Sequence, residues 1–249
     1  MKYFIIFFCL SIIHLLLDSS VCDRCAINLR KLPSYKLSRS GARSNQVVVS
    51  RKVIRNLDEC ERFAISKKAL AFNFGLNINL NERNICQVLQ CPEIRNSSLL
   101  TKDKNYRYYS MYPNYIPSEE GTVVCVPKAG IFILSSNNLN YTQAETFCRK
   151  LNGSLAHVIS EERTNGLAKF TSHKIPRYIG LSNNDDERIW KNAFGEPLSC
   201  FEYRAWGIGE PSNSRGCVAI VTPSNAHGVP FWKVVPCYVA LPFICEISP

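Results

Sequence analysis

Twelve cysteines among 249 residues constrain this chain more than any other feature. Lys2 opens the sequence, an apolar run from Tyr3 to Leu17 is broken only by Ser11 and His14, and Ser19 and Ser20 follow. That order predicts a secretory signal peptide over residues 1–22, cut between about Ser20 and Cys22. The run is shorter than the ~20 residues of a membrane-spanning helix. With Cys9 and Cys22 assigned to the leader, ten of the twelve cysteines reach an oxidising, extracellular compartment: Cys25, Cys60, Cys86, Cys91, Cys125, Cys148, Cys200, Cys217, Cys237 and Cys245. There they predict a disulfide framework in place of thiol chemistry. Zinc is the competing reading, but Cys86 and Cys91 have no second pair at finger spacing, and His14, His157, His173 and His227 are scattered. No metal or other cofactor is expected.

The length accommodates two domains of about 100–150 residues. The net charge of +10 is unevenly divided. Asp23–Val126 holds 17 Lys and Arg against 9 Asp and Glu, an excess of 8; Pro127 onward holds 12 against 10, an excess of 2. In a secreted protein this argues against nucleic acid and for an anionic polysaccharide, a matrix protein or a cell surface as partner. A solvated basic face without a specific ligand has the same composition. Sequons at Asn96, Asn140 and Asn152 are the candidate glycosylation sites. The oligomeric state is not legible.

From Cys25 to about Gln46 the chain is rich in Arg, Lys and Ser and reads as an exposed arm. Val47-Val48-Val49 predicts a strand. Asn56 caps a helix whose first turn is acidic and whose Leu57, Cys60 and Ala64 recur at helical spacing. Strands follow at Ala69–Phe74, Ile85–Pro92 and Tyr106–Tyr109, with a polar turn at Asn79–Asn84. This helix-and-short-strand order, with the Asn-x-Cys-x4-Cys-Pro run at Asn84–Pro92, resembles the PAN/apple superfamily, nearest its MANSC-like branch. The resemblance covers about Cys25–Cys125. Ala64 stands where apple domains carry a second helix cysteine. The resemblance suggests Cys25 paired with Cys125, and Cys60 with Cys86 or Cys91. One of the latter two, and Cys200, are then left to join the two halves. Pro113–Pro127 reads as the connection.

In the second half, Ile131–Leu134 predicts a buried strand, and Ala144, Phe147, Cys148 and Leu151 line one face of a helix from about Tyr141. Ser160 caps a second helix running through Leu167 and Phe170. Short strands and long loops follow, carrying Tyr178-Ile179-Gly180-Leu181, Trp190, Gly195, Trp206, Gly209-Glu210-Pro211-Ser212 and Phe231-Trp232. With Cys148, Cys217, Cys237 and Cys245, this series resembles a C-type lectin-like domain. The resemblance implies bridges Cys148–Cys245 and Cys217–Cys237. The expected architecture is therefore α+β: two disulfide-stapled modules, PAN/apple-like over 23–126 and C-type lectin-like over 127–249, the latter with two helices, short antiparallel sheets and a long loop region.

Sugar-binding members of that family hold a calcium ion through Glu-Pro-Asn or Gln-Pro-Asp, an acidic residue before the third cysteine, and Trp-Asn-Asp. At the matching positions this chain keeps Glu210 and Pro211 but has Ser212, Arg215, Lys233 and Val234. Calcium takes six to eight oxygen ligands, so the resemblance implies a degenerate site. Glu210 is expected to pair with the nearby cations, and Asp185-Asp186-Glu187 reads as a solvated turn. Tyr203, Arg204, Glu210, Arg215, Phe231 and Lys233 are the candidate ligand contacts, while Trp206 and Trp232 read as packing. No Gly-x-Ser-x-Gly turn or nucleophile–base pattern appears, so a non-catalytic protein is expected.

The domain pairing also resembles insect secreted lectin-like proteins of the schlaff type, which implies calcium-independent adhesion in cuticle or apical matrix. A soluble glycan- or microbe-recognising lectin and a secreted modulator of a receptor or protease cascade are the alternatives.

Overall fold

A computed structural model describes residues 34–76, 84–94, 99–113, 115, 116, 119, 121–171, 175–184, 189–223 and 228–249. The leader, Cys25, Asn96, the Asn79–Arg83 part of the predicted polar turn, Asp185-Asp186-Glu187, His173 and His227 lie outside the described residues. None of the described helices is long and apolar enough to cross a membrane.

The first unit is a five-stranded antiparallel sheet with strands β1 Lys36–Arg43, β2 Val48–Ile54, β3 Ala71–Gly75, β4 Asn84–Leu89 and β5 Thr101–Ser110, ordered β1-β5-β3-β4-β2. Helix α1, Leu57–Ser66, packs on one face. The Asn56 side chain accepts the Glu59 N–H at 3.0 Å, and the Glu59 carboxylate accepts the Arg55 N–H at 3.0 Å, closing the first turn. This cap aims Cys60 and Ala64 at Phe72, Phe74 and Val88. Cys60 bonds to Cys86, the alternative taken from the two open ones.

The reading of an exposed arm up to Gln46 is corrected, because β1 lies within it. Its side chains are mostly polar or charged, since β1 is an edge strand paired only with β5 and bent by two register shifts. Charged edge strands resist pairing with other chains, which is why no hydrophobic alternation announces this one. Ahead of it, Tyr35 sits edge-on to Phe72 at 4.9 Å and donates its hydroxyl to the Ala69 carbonyl at 2.6 Å.

The second unit holds two four-stranded antiparallel sheets. One, ordered β6-β7-β13-β8, uses β6 Gly121–Val126, β7 Gly130–Ser135, β8 Gly153–Leu155 and β13 Ile244–Ile247. The other, ordered β10-β9-β11-β12, uses β9 Arg177–Asn183, β10 Lys191–Asn192, β11 Gly216–Val221 and β12 Phe231–Val235. Helix α2, Tyr141–Lys150, starts in a capping box between Asn140 and Gln143. Helix α3, Glu161–Ala168, is capped by Ser160 and ends short of Phe170, which the sequence places within the helix and which is 44% exposed beyond it. Cys148–Cys245 ties α2 to β13, and Cys217–Cys237 ties β11 to the chain after β12.

The expected Cys25–Cys125 bridge is also corrected: Cys125 bonds to Cys91, with their Cα atoms 6.1 Å apart. The cause is β6. Pro113–Pro127 is not a plain connection, because Gly121–Val126 hydrogen-bonds along β7 in register from Gly121↔Ser135 to Val126↔Gly130. The boundary drawn at residue 126 therefore falls in the β6–β7 turn, and Cys91–Cys125 links the five-stranded sheet to the second unit covalently. Cys200 is disulfide-bonded too, to a partner outside the described residues. Leu70, Ile94, Tyr112 and Ile116 of the first part of the chain join Ile131, Ile133, Tyr178 and Phe243 in one buried cluster.

Candidate functional site

The loops between β10 and β12 are folded around an aromatic stack. Trp206 sits edge-on to Trp190 at 5.2 Å and to Trp232 at 5.4 Å, and Tyr203 lies edge-on to Trp232 at 5.7 Å. Trp232 is 1% exposed. Backbone bonds lock the stack to β12: Trp232 N–H donates to Ala205 at 2.6 Å and Gly207 N–H to Trp232 at 3.0 Å. A Cβ on Gly207 would lie 2.5 Å from the Phe231 ring, so only glycine admits this approach. Trp206 and Trp232 are packing residues, as the sequence predicts.

Two of the candidate contacts prove to be braces. Tyr203 donates its hydroxyl to Thr164 Oγ1 at 2.7 Å, anchoring the loop to α3, and burial raises its pKa. The Arg204 guanidinium donates to the carbonyls of Leu198 at 2.7 Å, Phe201 at 2.5 Å and Tyr203 at 2.8 Å. Their sequence gives no sign of this, because the partners are main-chain oxygens of a turn and a hydroxyl 39 residues away. Phe231 is half-buried against Gly207, and Lys233 is exposed on β12 opposite Ala219.

Glu210 sits at a cis bond to Pro211. The salt bridge expected for it does not form. Its Oε2 instead accepts the N–H of Ser212 at 2.7 Å and of Val234 at 3.2 Å. Burial acts to raise its pKa, but the hydrogen bonds from Ser212 and Val234 and the charge of Lys233 outweigh it and hold the carboxyl below its usual range. Arg215 is placed differently, beside β11, where it lines a groove of about 450 Å³ with Asn140, Thr142, Asn184, Pro236 and Tyr238. These residues come from four separate stretches, and no motif links them in sequence.

Residues 137–247 match the profile described as Lectin C-type domain. The chain is 30% identical over 131 residues to C-type lectin BfL-2 of Bungarus fasciatus, covering 79% of that protein and 49% of its own length. The chain belongs to the C-type lectin family. A C-type lectin mannose-binding isoform of Notechis scutatus scutatus is 31% identical over 128 residues, 79% of that protein and 49% of this chain. The solved structure of human lithostathine superposes with a TM-score of 0.43 at 24% identity, over 53% of this chain and all of that one, 100%.

Within this C-type lectin domain, a calcium ion does not fit the residues present. The ion needs several oxygen ligands with negative charge among them. Glu210 is the one carboxylate of the five matching positions, and its Oε2 already takes two backbone donors. Val234 is apolar and 8% exposed, and Lys233 brings a positive charge next to the carboxylate. Among the described residues, no group of three or more His, Cys, Asp or Glu side chains is placed to hold a metal.

Proposed function

We propose that this C-type lectin is a secreted, non-catalytic recognition and adhesion protein that binds matrix protein or polysaccharide without calcium, with cuticle or apical-matrix cohesion as its setting. The observation that carries this reading is the use of the Glu210 carboxylate by the chain's own backbone, with Lys233 beside it. Members of this family are generally binding proteins, and the disulfide-rich fold is compatible with secretion. The exposed face around Glu210, Phe231 and Lys233, and the groove at Arg215, are the contact surfaces of this proposal. Asn140 and Asn152, and Asn96, are its glycosylation sites. We assign residues 1–22 to a signal peptide and the five-stranded unit to a PAN/apple-like module, as in schlaff-type insect proteins.

A second reading, a soluble lectin in glycan or microbe recognition, is favoured by the description of the Notechis relative as mannose-binding. Binding of the secreted chain to a glycan array, measured with and without EDTA, separates the two. Binding unchanged by EDTA is expected; binding abolished by EDTA overturns calcium independence.

A further inference from the structure

Three described non-glycine residues have a positive φ: Asn152, of a type that tolerates it, and two lysines, which do so far less readily. Lys68 ends α1 at φ 50° and Lys128 sits in the β6–β7 turn at φ 64°. Both positions are ones that glycine fills at least cost. After Lys68, Ala69 N–H returns to the Ala64 carbonyl at 2.9 Å, a helix-ending pattern that favours glycine. In the turn, Pro127 precedes Lys128 and Ala129 N–H returns to Val126 at 3.1 Å, the type II arrangement whose third residue is usually Gly or Asn. Strained non-glycine residues cluster where side-chain chemistry is being used.

Both lysines line the same groove, of about 350 Å³, together with Ser50, Ser66, Lys67 and Glu162. The first unit supplies Ser50, Ser66, Lys67 and Lys68; the second supplies Lys128 and Glu162. Glu162 is 3.9 Å from Lys68, with both side chains more than half exposed at 59% and 66%. Three ammonium groups thus face one carboxylate. The positive charge continues outward, because the ring of Phe63 carries Lys67 at 5.8 Å and Lys52 at 5.7 Å. A stripe of this kind suits a linear polyanion better than a single small ion.

We propose that this groove at the junction of the two units binds a sulfated polysaccharide. Each sulfate ester stays ionised at any physiological pH and offers three oxygens to the ammonium and hydroxyl donors. The site takes its partner class from the proposed function but uses none of the lectin loop residues, so the two stand or fall separately.

The test uses the full chain and the double variant K68G/K128G on immobilised heparin at 150 mM salt, with hyaluronan as the carboxylate-only arm. Glycine relieves both backbone positions, so the variant is expected to keep or raise the melting temperature while binding heparin about tenfold more weakly or worse. Heparin binding is expected to exceed hyaluronan binding and to fall with added salt. K102Q/K104Q, on the exposed part of β5, serves as a charge-matched control and is expected to bind within about twofold of the parent. K68G/K128G binding as well as the parent, the control losing as much, or hyaluronan binding equally well would each overturn the proposal.

Discussion

The carboxylate of Glu210 accepts the backbone N–H of Val234 at 3.2 Å, holding a loop carboxylate against the neighbouring strand. In a sugar-binding relative the matching pair serves one cation together; in this chain one residue is a ligand for the other. Glu210→Ala is therefore expected to cost about 1–2 kcal/mol of stability by leaving two N–H groups without their acceptor. Calorimetry with and without calcium checks it, and the loss should be the same in both. The pH dependence follows from the lowered pKa. The stabilisation is fully present above the unfolded-state carboxylate pKa and fades as pH falls through the lower folded value. Acid titration of the melting temperature should flatten in Glu210→Gln over that window.

Arg163 and Glu246 form a pair at 2.7 Å with side chains 16% and 19% exposed. Arg163 also donates to the carbonyls of His157 at 2.8 Å and Ala129 at 2.9 Å, while Glu246 accepts the His157 N–H at 3.0 Å. Glu246→Ala should cost about 3 kcal/mol, because a largely buried guanidinium is left without its counter-charge. Denaturant unfolding measures this, and a change below about 1 kcal/mol would place the pair with ordinary surface bridges.

Cys91→Ala/Cys125→Ala opens a loop with a sequence separation of 34. The chain-entropy model gives about 4 kcal/mol for a loop of this size. Non-reducing peptide mapping of the parent should recover Cys91 linked to Cys125, and limited proteolysis of the variant should cut first between the two units.

At Asn140, cap and sequon can be separated. Thr142→Ala removes the sequon alone, whereas Asn140→Ala also removes the acceptor of the Gln143 N–H at 2.9 Å. Both should lose the same glycan by gel mobility, and only Asn140→Ala should lose a further ~1 kcal/mol of stability.

Much of this was legible in the chain because it is written locally. The caps at Asn56, Asn140 and Ser160, and the helical spacing that turns Cys60 and Cys148 inward, are short-range signals. The Tyr178–Leu181 strand is legible through the likeness of Tyr-Ile-Gly-Leu to the core strand of the C-type lectin-like pattern. What escaped depends on partners distant in sequence. β1 is polar because only β5 covers it. Cys125 pairs with Cys91 because β6 belongs to the sheet that follows it; the β-branched run Thr122–Val126 signals a strand but not which sheet it joins. The fates of Tyr203 and Arg204 turn on a hydroxyl from α3 and on three carbonyls, and main-chain acceptors leave no trace in residue identity. Glu210 shows the same limit: its change of role was readable from Lys233 and Val234, its actual partners were not.

The Cys91–Cys125 bond also has a mechanical meaning. With the bond intact, a pull applied between β4 and β6 passes directly from the end of one into the other. At ~3.4 Å per residue, the separation of 34 removes about 115 Å of contour from what tension could draw out. β5, lying inside that closed loop, is spared this load, and the first unit transmits tension into the lectin sheet through the bond.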